Sequence, residues 1–109
     1  TNTTNLDIRG FFLYLQKPTV MEVVWSQVAK ENIGTLKKYL MEHYGKKVTA
    51  ECLTKLLSAV DIIAHHPEIG KRFGTDRRAF VVAKQISIHY RVTSQIEIIM
   101  LWDNRQMPN

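Results

Sequence analysis

The chain has 109 residues, of which 45% are hydrophobic and 23% charged, a composition that fits one folded domain and excludes wholesale disorder. Fifteen Lys+Arg against ten Asp+Glu give a net charge of +5, so a polyanion or an acidic protein is a natural partner. The single cysteine, Cys52, excludes an internal disulfide and suits a reducing, cytoplasmic setting, and no apolar run nears the roughly 18 residues of a membrane span.

Thr1 to Asn5 is polar, and Phe11-Phe12-Leu13-Tyr14-Leu15 forms a short apolar run after Gly10. Gln16, Lys17 and Pro18 interrupt that run, which argues against a secretory signal. Residues 1–19 therefore read as an extension ahead of Met21, or as a strand or short helix from Ile8 to Leu15 added to the domain. The domain itself runs from 20 to 109. Residues 6–16 are a candidate to fill an apolar groove or to mediate dimerisation.

Val20 to Trp25 is β-branched and aromatic, which predicts a strand. Ser26 follows as a helix N-cap. Ala29, Ile33, Leu36, Leu40 and Tyr44 recur at helical spacing, and Gly45 is a natural stop. Thr49 is a second N-cap candidate, ahead of a stripe of Leu53, Leu56, Leu57, Val60, Ile63 and Ala64. Pro67 ends that helix. The short link between the helices predicts an antiparallel hairpin.

Pro67-Glu68-Ile69-Gly70 reads as a turn, followed by a basic stretch to Gly74. Arg78 to Ala83 predicts a strand. From Gln85 to Val92, Ile86, Ile88, Tyr90 and Val92 alternate with Ser87, His89 and Arg91. Gln95 to Trp102 is apolar on both sides and suits a central strand. Short links at Lys84 and Thr93-Ser94 make these three strands an antiparallel meander.

No glycine-rich phosphate loop, paired CxxC or HExxH is present. The four histidines lack metal-site spacing, so neither a metal nor a cofactor is expected; His65 and His66 suit the C-terminal end of a helix, where a partly cationic imidazole complements the dipole. Cys52 reads as a small core residue. From Lys71 onward, seven basic residues face three acidic ones. Among them Arg77, Arg78, Lys84, Arg91 and Arg105, with His89, form a set that could converge on one sheet face and hold a phosphodiester. Solvated charges with local ion pairs are the plainer alternative. Asp103 and Arg105 add a polar cluster where the last strand ends, a common place for sites.

The order of strand, helical hairpin, Pro-x-x-Gly turn and arginine-bearing strands resembles the RelE/ParE toxin superfamily of type II toxin–antitoxin modules. The resemblance runs from Val20 to Pro108. It is carried by Trp25-Ser26 with Ala29, Ile33 and Tyr39, by Pro67 to Gly70, Arg78 and Ile88 to Val92, and by Ile98 to Leu101 with Asp103 to Pro108. It is nearest to the ParE-like, plasmid-stabilisation branch. It implies an α+β fold in which the hairpin packs on a twisted antiparallel sheet. It implies a cognate antitoxin whose disordered tail wraps the toxin, giving a hetero-oligomer, and growth arrest when the toxin is free. ParE-like members inhibit DNA gyrase; RelE-like members cut ribosome-bound mRNA without a metal.

The chain departs from the RelE-like pattern, because no tyrosine follows Tyr90 up to Asn109. If it is a nuclease, Arg78, His89 and Arg91 are the catalytic candidates. The ParE-like expectation is a protein-binding toxin whose target-facing residues include Arg77, Arg78, Lys84, Arg91, Asp103 and Arg105. An inactive relative is the third alternative.

Overall fold

Val23–Trp25 forms β1, and Ser26 stops it. The Ser26 hydroxyl accepts the Ala29 N–H at 3.0 Å and donates to the Ile99 carbonyl at 2.6 Å. One side chain thus caps a helix and ties it to the sheet, as the sequence suggests for the capping half. The computed structural model describes residues 20–103. The expected extension at 1–19 and the residues from 104 on, Arg105 included, lie outside them.

The helical stretch Gln27–His65 is broken at Gly45, whose φ of 83° and ψ of −175° are conformations that side-chain-bearing residues avoid. The break divides it into α1 (27–44) and α2 (46–65). Ala29 of α1 shares a core with Leu56, Ala59, Val60, Ile63 and Ala64 of α2, whereas Leu36 and Leu40 pack with Cys52. Early residues of one helix meet late residues of the other, so the two form the expected antiparallel hairpin. Thr49 does not cap α2. Because the Gly45 break is sharp, α2 starts at once, and the Thr49 hydroxyl donates back to the Gly45 carbonyl at 2.7 Å. Tyr44 and Leu57 fall outside the buried stripes and are exposed. At the far end His66 is the C-cap, its N–H bonded to the Ile62 carbonyl. His65 Nδ1 lies 2.9 Å from the Asp61 carbonyl.

Four more strands follow: β2 (Lys71–Phe73), β3 (Arg77–Ala83), β4 (Ile86–Val92) and β5 (Ile96–Asp103). The sheet order is β1-β5-β4-β3-β2. β3, β4 and β5 make the expected meander, β2 adds an antiparallel edge where the sequence reads only as a basic stretch, and β1 pairs parallel with β5. Ile88, Tyr90, Ile96 and Ile98 have no exposed surface and press one sheet face against the hairpin. Each such side chain contributes about 1.5–3 kcal/mol of apolar burial. The β4–β5 register slips between the pairs His89↔Met100 and Tyr90↔Ile98, leaving Ile99 as an extra residue. The Ile99 carbonyl is the one that accepts the Ser26 hydroxyl.

Candidate functional site

One of the candidate residues, Arg78 on β3, is the cross-strand partner of the core residue Tyr90 on β4. The two grip the Pro67–Gly70 turn from the side. The Tyr90 hydroxyl donates to the Pro67 carbonyl at 2.7 Å and accepts the Gly70 N–H at 2.8 Å. Arg78 Nη1 donates to the Gly70 carbonyl at 2.8 Å and to the Glu68 carbonyl at 3.0 Å. Burial raises the Tyr90 pKa above its ordinary 10.0, only partly opposed by the Gly70 N–H and the Arg78 charge, so the phenol stays a proton donor. Gly70 is held so close that an added Cβ would stand 2.6 Å from the Tyr90 hydroxyl. This cluster fixes how the chain passes from α2 to β2.

On the opposite, helix-free face of the sheet, Arg91 lies between two carboxylates. Its Nε and Nη2 both reach Glu97 Oε1, the former at 3.1 Å, and its Nη1 reaches Asp76 Oδ2 at 3.3 Å. The hydrogen bonds Arg91 donates, to Glu97 first and Asp76 second, raise its pKa further and hold the guanidinium charged. Its positive charge is therefore locally neutralised.

His89 is 8% exposed although it projects from that same face. The Phe73 ring meets it edge-on at 5.0 Å, and the Trp102 ring lies 6.3 Å away. Burial, and secondarily the Arg77 charge, lower its pKa below the ordinary 6.5, so the imidazole is neutral at pH 7. Phe73, Arg77, His89, Met100 and Trp102 line a cleft of about 300 Å³. Two aromatic walls, a neutral imidazole and a guanidinium suit a flat or apolar group carrying a negative charge.

The described members of the predicted basic set do not converge. Arg77 and His89 share the cleft, while Arg91 is occupied beside its carboxylates and Arg78 bonds the turn. Lys84 lies in the β3–β4 link, and Asp103 pairs with Ile86 at that end of β4, away from Arg91 near the other end. Phe73, Met100 and Trp102 are the lining residues that sequence reasoning missed. Trp102 stood at the head of the polar C-terminal cluster, but Phe73 gave no signal without β2. A second concavity, a groove of about 650 Å³, runs between α2 and β3 and is lined by Val48, Glu51, Cys52, Thr54, Lys55 and Ala83. Among the described residues no group of three or more His, Cys, Asp or Glu is placed to hold a metal. No described helix is long and apolar enough to cross a membrane.

A helical hairpin laid on one face of a small, mostly antiparallel sheet defines the class as α+β. No family model matches the chain, and no curated protein matches it in sequence. Among solved structures it is similar to a chain of the "Chromosomal ParDE TA system from P. aeruginosa", at 13% identity and a TM-score of 0.69. The match covers 77% of this chain and 96% of that one. The fold is thus ParE-like, as the sequence resemblance implies.

Proposed function

We propose that the chain is the toxin of a type II toxin–antitoxin pair, silent while an antitoxin holds it and growth-arresting when free. The observation that carries this is the ParE-like fold, matched over 96% of a chain from a ParDE toxin–antitoxin system. The groove between α2 and β3 is the place for an apolar stretch of the antitoxin. A disordered tail that folds there would offset its ordering entropy with a large contact surface.

The target is DNA gyrase, bound as a protein rather than cut as a substrate. Support comes from how the nuclease candidates are engaged. Arg78 bonds backbone carbonyls, and Arg91 is flanked by Asp76 and Glu97. Of the described candidate cations, Arg77 is the one that lines the cleft beside His89. Phosphodiester cleavage without a metal draws on several cations aimed at the developing charge, and that requirement favours the protein-binding alternative.

A supercoiling assay with purified gyrase tests the target. The free chain is expected to inhibit supercoiling in proportion to its concentration. Unimpaired supercoiling, together with cleavage of ribosome-bound mRNA, would transfer the assignment to the RelE-like endonuclease.

A further inference from the structure

The tip of the helical hairpin carries a charge and ring pattern that neither the core nor the sheet site uses. Lys37 and Lys38 on α1 and Lys46 and Lys47 on α2 are all exposed. Glu42 is the one carboxylate between Asn32 and Ala50, and among the described residues none of the four lysines forms an ion pair with a carboxylate. Lys37, Met41 and Tyr44 recur at i, i+4 and i+7, so they follow one side of α1. Tyr44 is 53% exposed, and Met41 and Val48 are each 39% exposed.

The rings there are ordered against one another. Tyr39 and His43 stack with centroids 4.1 Å apart, and Tyr44 stands 6.4 Å from His43 and 6.3 Å from Tyr39. The His43 ring is tied to the Tyr39 carbonyl at 2.9 Å, which fixes its orientation. The positive φ at Gly45 turns the chain immediately after Tyr44, so the second lysine pair follows directly on the ring cluster.

We infer that this tip is a binding surface for single-stranded nucleic acid, with lysines on phosphates and Tyr44 stacking on a base. Lysine is a compact point charge suited to phosphate and is depleted at protein–protein interfaces. Interleaved cations and exposed rings are the recurring means of holding an unpaired strand without sequence preference. The surface stands apart from the sheet cleft and shares Val48 with the lining of the groove between α2 and β3, and its role does not depend on the gyrase assignment.

Fluorescence anisotropy with a short labelled oligothymidylate tests it, using the full chain at several salt concentrations. The fourfold variant Lys37→Gln/Lys38→Gln/Lys46→Gln/Lys47→Gln is expected to bind at least about tenfold more weakly. Its log–log salt slope should be shallower by nearly 3, at about 0.7 per phosphate contact on a single strand. Tyr44→Ala should weaken binding by about fivefold or more with little change in slope. Lys71→Gln/Arg72→Gln, on β2, should bind like the parent. Thermal melting confirms that each variant is folded. The inference is overturned if the β2 variant loses binding while the tip variant keeps it, or if poly-glutamate binds as tightly as the oligonucleotide. It is also overturned if duplex competes equally and Tyr44→Ala has no effect.

Discussion

Replacing Gly70 with alanine should destabilise the fold far more than its place in a surface turn suggests. The new methyl would sit 2.6 Å from the Tyr90 hydroxyl, 2.8 Å from Cε1 and 3.0 Å from Cζ. None of these atoms is the end of a freely moving side chain. The Tyr90 ring is fully buried, and its hydroxyl is held by Pro67 and Gly70 together. Moving the ring overpacks the core at about 1–3 kcal/mol. Stranding its buried hydrogen-bonding groups adds about 1–3 kcal/mol. The two overlap, so about 2–4 kcal/mol is expected, against a total stability of roughly 5–15 kcal/mol for a domain. Urea unfolding followed by circular dichroism measures the loss, with an unchanged slope showing that it arises in the folded state. In a Tyr90→Phe background the same substitution should cost less, because the nearest clashing atom is gone. A Gly70→Ala protein as stable as the parent would refute the argument, and so would strictly additive losses in the double variant.

The remaining predictions concern the sheet face and the helix start. His89 has a lowered pKa in the folded chain, so the unfolded chain takes up its proton first as pH falls. Stability is therefore fully present above about pH 6.5 and declines as pH drops toward the folded value, a decline that should be reduced in His89→Gln when unfolding midpoints are compared across pH. Ser26→Ala removes the α1 cap and the tie to Ile99, and should cost about 1–2 kcal/mol by the same urea assay. The double variant His89→Ala/Arg91→Ala should keep its toxicity on induced expression; loss of toxicity in a protein that still folds would favour the nuclease assignment.

Local chemistry made much of this fold legible. β-branched runs marked the strands, Ser26 the first cap, Gly45 the hairpin break, and strict alternation placed Ile88 and Tyr90 in the core. What was not legible depends on contacts distant in the chain. Lys71-Arg72-Phe73 is too short and too charged to read as a strand, and becomes one because Arg77–Ala79 offers it a pairing edge. Arg78 looked like a cation for a ligand, yet the carbonyls it bonds are brought there by the turn after α2. Arg91 looked like another, and its neutralisation needs Asp76 from before β3 and Glu97 from β5. The aromatic walls of the His89 cleft come from opposite ends of the sheet half, on β2 and β5, so no spacing in the sequence announces them. Thr49 misled because its type suits a cap, while the backbone break had already been made four residues earlier.

The proposed route by which the free chain arrests growth is DNA gyrase. Pulse labelling of DNA and protein synthesis, in the first minutes after induced expression in bacteria without an antitoxin, tests this most directly. DNA synthesis should fall first, accompanied by a DNA-damage response. A fall in protein synthesis that precedes it, or undiminished growth with the folded chain present, would contradict the proposal.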